Sequence, residues 1–147
     1  MNINLLDDAL HALNRAAAAA ARVGQQAVAP EHILAGVISE GGAAFEEACE
    51  RLELDLELLS EDLRSVPSTY EGHLPFTETS HAVLAAAVNH SQTHQHGGVT
   101  SLHLFLGLLR AAGSDVQAAL KPWDVDADDV ADEINSAFAA VGGDEDD

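Results

Sequence analysis

Apolar residues fall along this chain at helical spacing, and the arrangement is written out twice. Near the N-terminus Leu6, Leu10, Leu13, Ala17 and Ala20 form one stripe, which predicts a helix over 5–22 that Asn4 or Asn2 caps and Gly24 ends. Pro30 opens a second helix, at a position where its missing N–H costs nothing. Ile33, Leu34, Val37 and Ile38 of that helix turn inward, and Gly41-Gly42 ends it. A third helix over 43–52 buries Phe45, Ala48, Cys49 and Leu52, and Asp55 caps a fourth over 56–65. Residues 66–76, VPSTYEGHLPF, hold two prolines and a glycine and form a linker. The plan then returns: Thr77 caps a helix over 78–94, and helices follow at 101–111, 114–121 and, capped by Asp126, 127–138. Residues 139–147, AAVGGDEDD, are small and acidic, and the expectation for them is a disordered tail.

Residues 5–65 and 76–136 align without a gap at a constant offset of 71 positions. His32 falls on His103, Gly36 on Gly107 and Asp55 on Asp126. A helical unit with long apolar faces and little bulk cannot bury them alone, so a duplicated unit packs against its copy. The expected fold is all-α: about eight helices in two pseudo-symmetric four-helix repeats (5–65 and 77–138), related by an approximate two-fold rotation within one domain over 1–138.

Composition sharpens this picture. Hydrophobic residues make up 47% of the 147, but aromatics only 4%. Alanine supplies much of the apolar count, which favours close-packed helices over strands. Asp and Glu outnumber Lys and Arg by 25 to 6, for a formal charge of −19. Such a surface repels nucleic acid and anionic membranes, so neither is an expected partner. Cys49 is the single cysteine; it aligns with Leu120 and reads as a small buried hydrophobe rather than a nucleophile. No apolar run reaches the roughly 18 residues of a membrane span. The acidic start MNINLLDDAL lacks the pattern of a signal peptide, and the expected location is cytoplasmic.

The segments EHILAGV at 31–37 and LHLFLGL at 102–108, with the turns LELD at 52–55 and WDVD at 123–126, resemble the Clp N-terminal (Clp repeat) domain family over about residues 3–138. The resemblance implies a non-enzymatic, cofactor-free module that binds proteins: a Clp-type unfoldase, a peptidase, or their substrates and adaptors. In that family the module is normally fused ahead of ATP-driven rings such as ClpA and ClpC. This sequence has no Gly-Lys-Ser/Thr phosphate loop, and its acidic ending resembles a natural C-terminus. It therefore reads as a free-standing adaptor or accessory factor; the alternative is the recruiting fragment of a longer unfoldase.

The resemblance also implies a site. In ClpC-like members each repeat offers a Thr at its first helix cap and the Glu of the Glu-His motif, which together resemble a clamp for phosphorylated arginine. Here repeat one keeps Glu31 but has Leu6 at the Thr position, and repeat two keeps Thr77 but has Leu102 at the Glu position. Neither clamp is whole, and leucine cannot pair with a guanidinium, so phosphoarginine recognition is not expected in either half. Glu31, Thr77, Leu6 and Leu102 are the candidate partner-binding residues. Glu31 also suits a first-turn acid facing the helix dipole, and Thr77 a plain cap. His32 and His103 recur together, which suggests a shared structural hydrogen bond to a loop carbonyl. His90 and His94 have the spacing of metal ligands, with His96 near by. No cysteine or second His pair accompanies them, so they read as a solvated face, with a metal-binding protein as the alternative. No serine lies in a nucleophile elbow, and no catalytic residues are expected.

Overall fold

The computed structural model describes residues 6–40, 43–54, 74–94, 96, 98–111, 116, 118, 120 and 125–146. Within them the chain forms six helices: α1 (Asp7–Arg22), α2 (Pro30–Glu40), α3 (Ala43–Arg51), α4 (Glu78–Thr93), α5 (Ser101–Ala111) and α6 (Ala127–Asp146). No β-strand occurs among the described residues, as the alanine-rich, aromatic-poor composition requires. The helix expected at 56–65 with its Asp55 cap, most of the one at 114–121, and Trp123 lie outside the described residues.

Most helix ends follow from the sequence. Gly24 adopts a φ of 77° just past α1, where only glycine sits without strain. Its N–H meets the Ala21 carbonyl at 3.0 Å, and the Gln25 N–H meets that of Ala20 at 2.9 Å. Thr77 caps α4 by accepting the Ser80 N–H at 3.2 Å, and Asp126 caps α6 by accepting the Asp128 N–H at 3.0 Å. Two ends differ from expectation. The first helix begins at Asp7, with Leu6 at the cap position and no side-chain cap bond, rather than at residue 5 under an asparagine. A tether across the molecule sets this start, because the Leu6 N–H donates to the Val99 carbonyl at 2.9 Å. The last helix continues to Asp146, beyond the boundary expected at 138. The alanines at 137, 139 and 140 carry high helix propensity and extend it.

Each repeat is built on one helical hairpin: α1 lies along α2, and α4 along α5. Glycine sets the distance in both. A Cβ on Gly36 would strike the backbone of Ala12 and Ala16, and a Cβ on Gly107 would strike the Val83 carbonyl. Positions 12 and 83 are themselves related by the repeat offset, so the two hairpins close at equivalent points. The hairpins meet through α2 and α5, and α6 packs on α5 and α3. Phe45, Phe105, Ile33, Leu34, Leu104 and Ile134 are fully buried there. The Phe45 ring on α3 meets Phe105 on α5 edge-on, with centroids 5.6 Å apart.

The repeats are also stitched by backbone. Val28 and Phe76 form a parallel β-bridge, and the Thr77 N–H donates to the Val28 carbonyl at 3.0 Å. The Leu6-to-Val99 bond is its counterpart, since 6 aligns with 77 and 28 with 99. Each repeat thus hands the start of its first helix to the other repeat's loop. That reciprocal exchange is the expected two-fold relation, seen at the level of single hydrogen bonds.

Candidate functional site

The exchange decides which candidate residues can meet. Helix α1 has 16 residues and is about 24 Å long. It runs antiparallel to α2: His11 and Arg15 approach Glu40 at the far end of α2, at 3.6 and 2.9 Å. Leu6 and Glu31 therefore lie at opposite ends of one hairpin, and the same holds for Thr77 and Leu102. Pairing within a repeat, as the sequence suggested, is geometrically excluded. The structure pairs across repeats, with the Thr77 cap on the Val28 loop just ahead of Glu31, and the Leu6 cap on the Val99 loop just ahead of Leu102.

The two corners differ in chemistry. At the first, Thr77 donates its hydroxyl to Ser80 Oγ at 3.1 Å, and Ser80 in turn donates to the Val28 carbonyl at 2.7 Å. Half-buried Glu31 stands in the first turn of α2, where the helix dipole favours a carboxylate. This corner has a hydroxyl at the stitched cap and, three residues beyond Val28, a carboxylate at a helix N-terminus. At the second, Leu6 is 37% exposed and Leu10, one turn on, is 48% exposed. Ala9 stands there where the first corner has Ser80. Leu102 is buried in the core and offers a partner no surface.

The paired histidines behave alike, but not as expected. His32 Nδ1 accepts the Ala29 N–H at 3.0 Å, and His103 Nδ1 accepts the Thr100 N–H at 3.0 Å. The partner is an amide rather than a carbonyl, and the ring accepts rather than donates. Each ring sits three residues after its helix cap and reaches back to it, as the acid of a capping box does. Thr100 completes the box in repeat two, accepting the His103 N–H at 3.3 Å. Burial holds both rings below the usual histidine pKa, His103 at about 3. Buried, neutral and committed to a cap, neither ring suits proton transfer.

His90, His94 and His96 do come together, with His103 as a fourth ring that the sequence reading did not include. Centroids lie 4.3 Å apart for His90–His94, 5.6 Å for His94–His96 and 5.1 Å for His96–His103. Two of the contacts run through ring nitrogens: His96 Nδ1 lies 2.9 Å from His103 Nε2, and His90 Nε2 lies 3.1 Å from Asn135 Oδ1. Among the described residues no three His, Cys, Asp or Glu side chains are placed to hold a metal ion. Cys49 is buried, and desolvation pushes its thiol up to about 12, as a structural cysteine requires. Among the described residues no helix is long and apolar enough to cross a membrane.

Comparison with known proteins agrees with the geometry. Residues 75–146 match the Clp repeat (R) N-terminal domain. Over 132 residues, 87% of the chain, it is 30% identical to the chloroplastic chaperone protein ClpC3 of rice, Oryza sativa subsp. japonica, and spans 14% of that protein's length. The fold matches the Hsp104 N-terminal domain of Candida albicans with a TM-score of 0.68 at 18% identity, covering 95% of this chain and 92% of that one. It matches the N-terminal domain of the caseinolytic protease associated chaperone ClpD of Arabidopsis thaliana with a TM-score of 0.63 at 18% identity, covering 92% and 94%. With the duplicated helical hairpins, the reciprocal stitching and these likenesses in place, residues 75–146 carry a Clp repeat N-terminal domain and the chain is homologous to the N-terminal region of the ClpC3 chaperone.

Proposed function

We propose that the chain is a non-enzymatic protein-binding module, an adaptor or accessory factor of a Clp-type ATP-dependent unfoldase and protease system. The observation that carries this reading is the cross-repeat corner of Glu31 and Thr77. It offers a carboxylate for a guanidinium, and a hydroxyl and helix N-terminal amides for a phosphate. A peptide arginine, phosphorylated or plain, is the ligand this chemistry suits. The apolar strip of Leu6 and Leu10 at the other corner suits an aliphatic side chain of the same partner. The charge of −19 steers a basic partner toward the surface, while the apolar contacts hold it. The same binding role inside a longer unfoldase chain makes the same demand on these residues. The cytoplasmic setting is part of the proposal, since the rice relative is chloroplastic.

Co-elution with a Clp-type unfoldase or its peptidase on size exclusion, at low and at high salt, tests the assignment. Association at low salt that weakens but persists at high salt is the expected result. Separate elution under both conditions would overturn it.

A further inference from the structure

The four-histidine cluster belongs to one repeat alone. At the offset of 71, His90, His94 and His96 align with Ala19, Val23 and Gln25, while His103 aligns with His32. The same hairpin, turn and capping ring occur in repeat one without the three extra rings. They are therefore not needed to build the turn. In repeat two they join three elements at one point. His90 and His94 end α4, His96 stands on the α4–α5 connection, and His103 lies fully buried in the first turn of α5. His90 Nε2 reaches Asn135 of α6 at 3.1 Å. Two further bonds fasten the connection to α4: the His96 N–H donates to the Ser91 carbonyl at 2.8 Å, and the Ser91 hydroxyl donates to the Gly98 carbonyl at 2.6 Å.

Proton placement in this cluster is dictated by its bonds. His103 Nδ1 accepts the Thr100 N–H, so the ring proton is on Nε2, which donates to His96 Nδ1 at 2.9 Å. A proton added to His103 Nδ1 would lose the Thr100 N–H bond and have only the Thr100 hydroxyl, 2.8 Å away, to receive it. One added to His96 Nδ1 would face the His103 Nε2–H, donor against donor, and turn that hydrogen bond into a repulsion. Charging these rings also sets like charges side by side. Among the described residues, the groups facing the cluster include its own rings from α4, the connection and α5, Arg110 of α5 with its guanidinium 3.4 Å from His90 Nδ1, and neutral Asn135 of α6. Asp128 of α6, beyond Arg110 at 3.9 Å, is largely exposed and spends its charge on that arginine in water.

We infer that the four rings are an acid-sensitive latch, which holds the α4–α5 connection and the start of α5 in place at neutral pH and releases them on protonation. The released loop carries Val99, whose carbonyl receives the Leu6 N–H, so opening loosens the stitch between the repeats at the apolar corner. Burial depresses the pKa of His90, His96 and His103 below the ordinary 6.5. The closed form then binds fewer protons than the open one, so its advantage is full above about pH 6.5 and falls with pH below that. Each ring that stays neutral when closed and titrates normally when open favours opening by about tenfold per pH unit. Repeat one has a single such ring, His32, and serves as an internal control.

Hydrogen exchange of the whole chain at pH 7 and pH 4.5 tests this without any partner, so its outcome is independent of the binding proposal. The expected result is a loss of amide protection over residues 96–103 at least tenfold greater than over the aligned residues 25–32. His96→Gln, the residue carried by repeat one, should bring the two losses to within about threefold of each other. Equal losses in the two segments of the unsubstituted chain would overturn the latch, as would an unchanged excess in His96→Gln. The comparison within the unsubstituted chain decides the matter even if that variant does not fold.

Discussion

Gly36 and Gly107 stand at close helix approaches, and backbone atoms line both contacts. Backbone cannot rotate away from an added methyl group. Gly36→Ala and Gly107→Ala should each cost about 2–3 kcal/mol, in the range of an overpacked core, and lower Tm by roughly 5–10 °C. A urea melt within 0.5 kcal/mol of the parent, on the scale of ordinary surface changes, would remove glycine from this role. Glu53 presents the opposite case. It holds a φ of 59° at the end of α3, where its N–H and that of Leu54 satisfy the carbonyls of Glu50 and Cys49. Glu53→Gly should relieve that strain and stabilise by about 0.5–1 kcal/mol in the same melt. Cys49 should resist alkylation at pH 8 in the native state and react once urea exposes it, because burial keeps the thiol protonated.

The hairpin, the cap and the turn were legible at the scale of the element because their signals are local. Pro30, Gly24, Thr77 and Asp126 each punctuate a helix within one turn of their own position. The meeting of caps and loops was not legible, because the repeat offset says which residues are equivalent, not which are neighbours. Leu6 aligns with Thr77 and Leu102 with Glu31 under any arrangement of the two repeats. Only the antiparallel course of α1 on α2 shows that a cap and the Glu-His motif of one repeat sit at opposite ends. A helix about 24 Å long followed by a short connection makes that course antiparallel, and this was the signal that would have excluded the within-repeat clamp. His103 was missed from the histidine group for a similar reason: the turn after α4 brings it back across the connection. The two cap positions yield a paired prediction. Thr77→Ala should cost about 1 kcal/mol, and Leu6→Thr, which supplies the missing oxygen, should gain about half that. Thermal melts of both variants check the pair, and a destabilised Leu6→Thr would mean that burial of Leu6 outweighs capping.

The whole molecule combines a two-fold scaffold with unlike corners under one acidic surface. Self-repulsion at a charge of −19 opposes compaction, and salt screens it, with a Debye length of about 10 Å at 0.1 M falling to about 3 Å at 1 M. Tm should therefore rise as NaCl goes from 0.05 to 1 M; a fall would mean that attractive pairs such as Arg15–Glu40 outweigh the repulsion. Likeness to the Clp repeat N-terminal domain accounts for the scaffold, and the proposed Glu31–Thr77 site gives that scaffold one polar recognition corner rather than two. A titration of the isotopically labelled chain with a peptide bearing a single phosphoarginine, followed by amide NMR shifts, tests this most directly. The account predicts saturable shifts confined to residues 28–31 and 77–80 that vanish in Glu31→Gln. Shifts centred on Leu6 and residues 99–102, or no saturable shift at all, would contradict it.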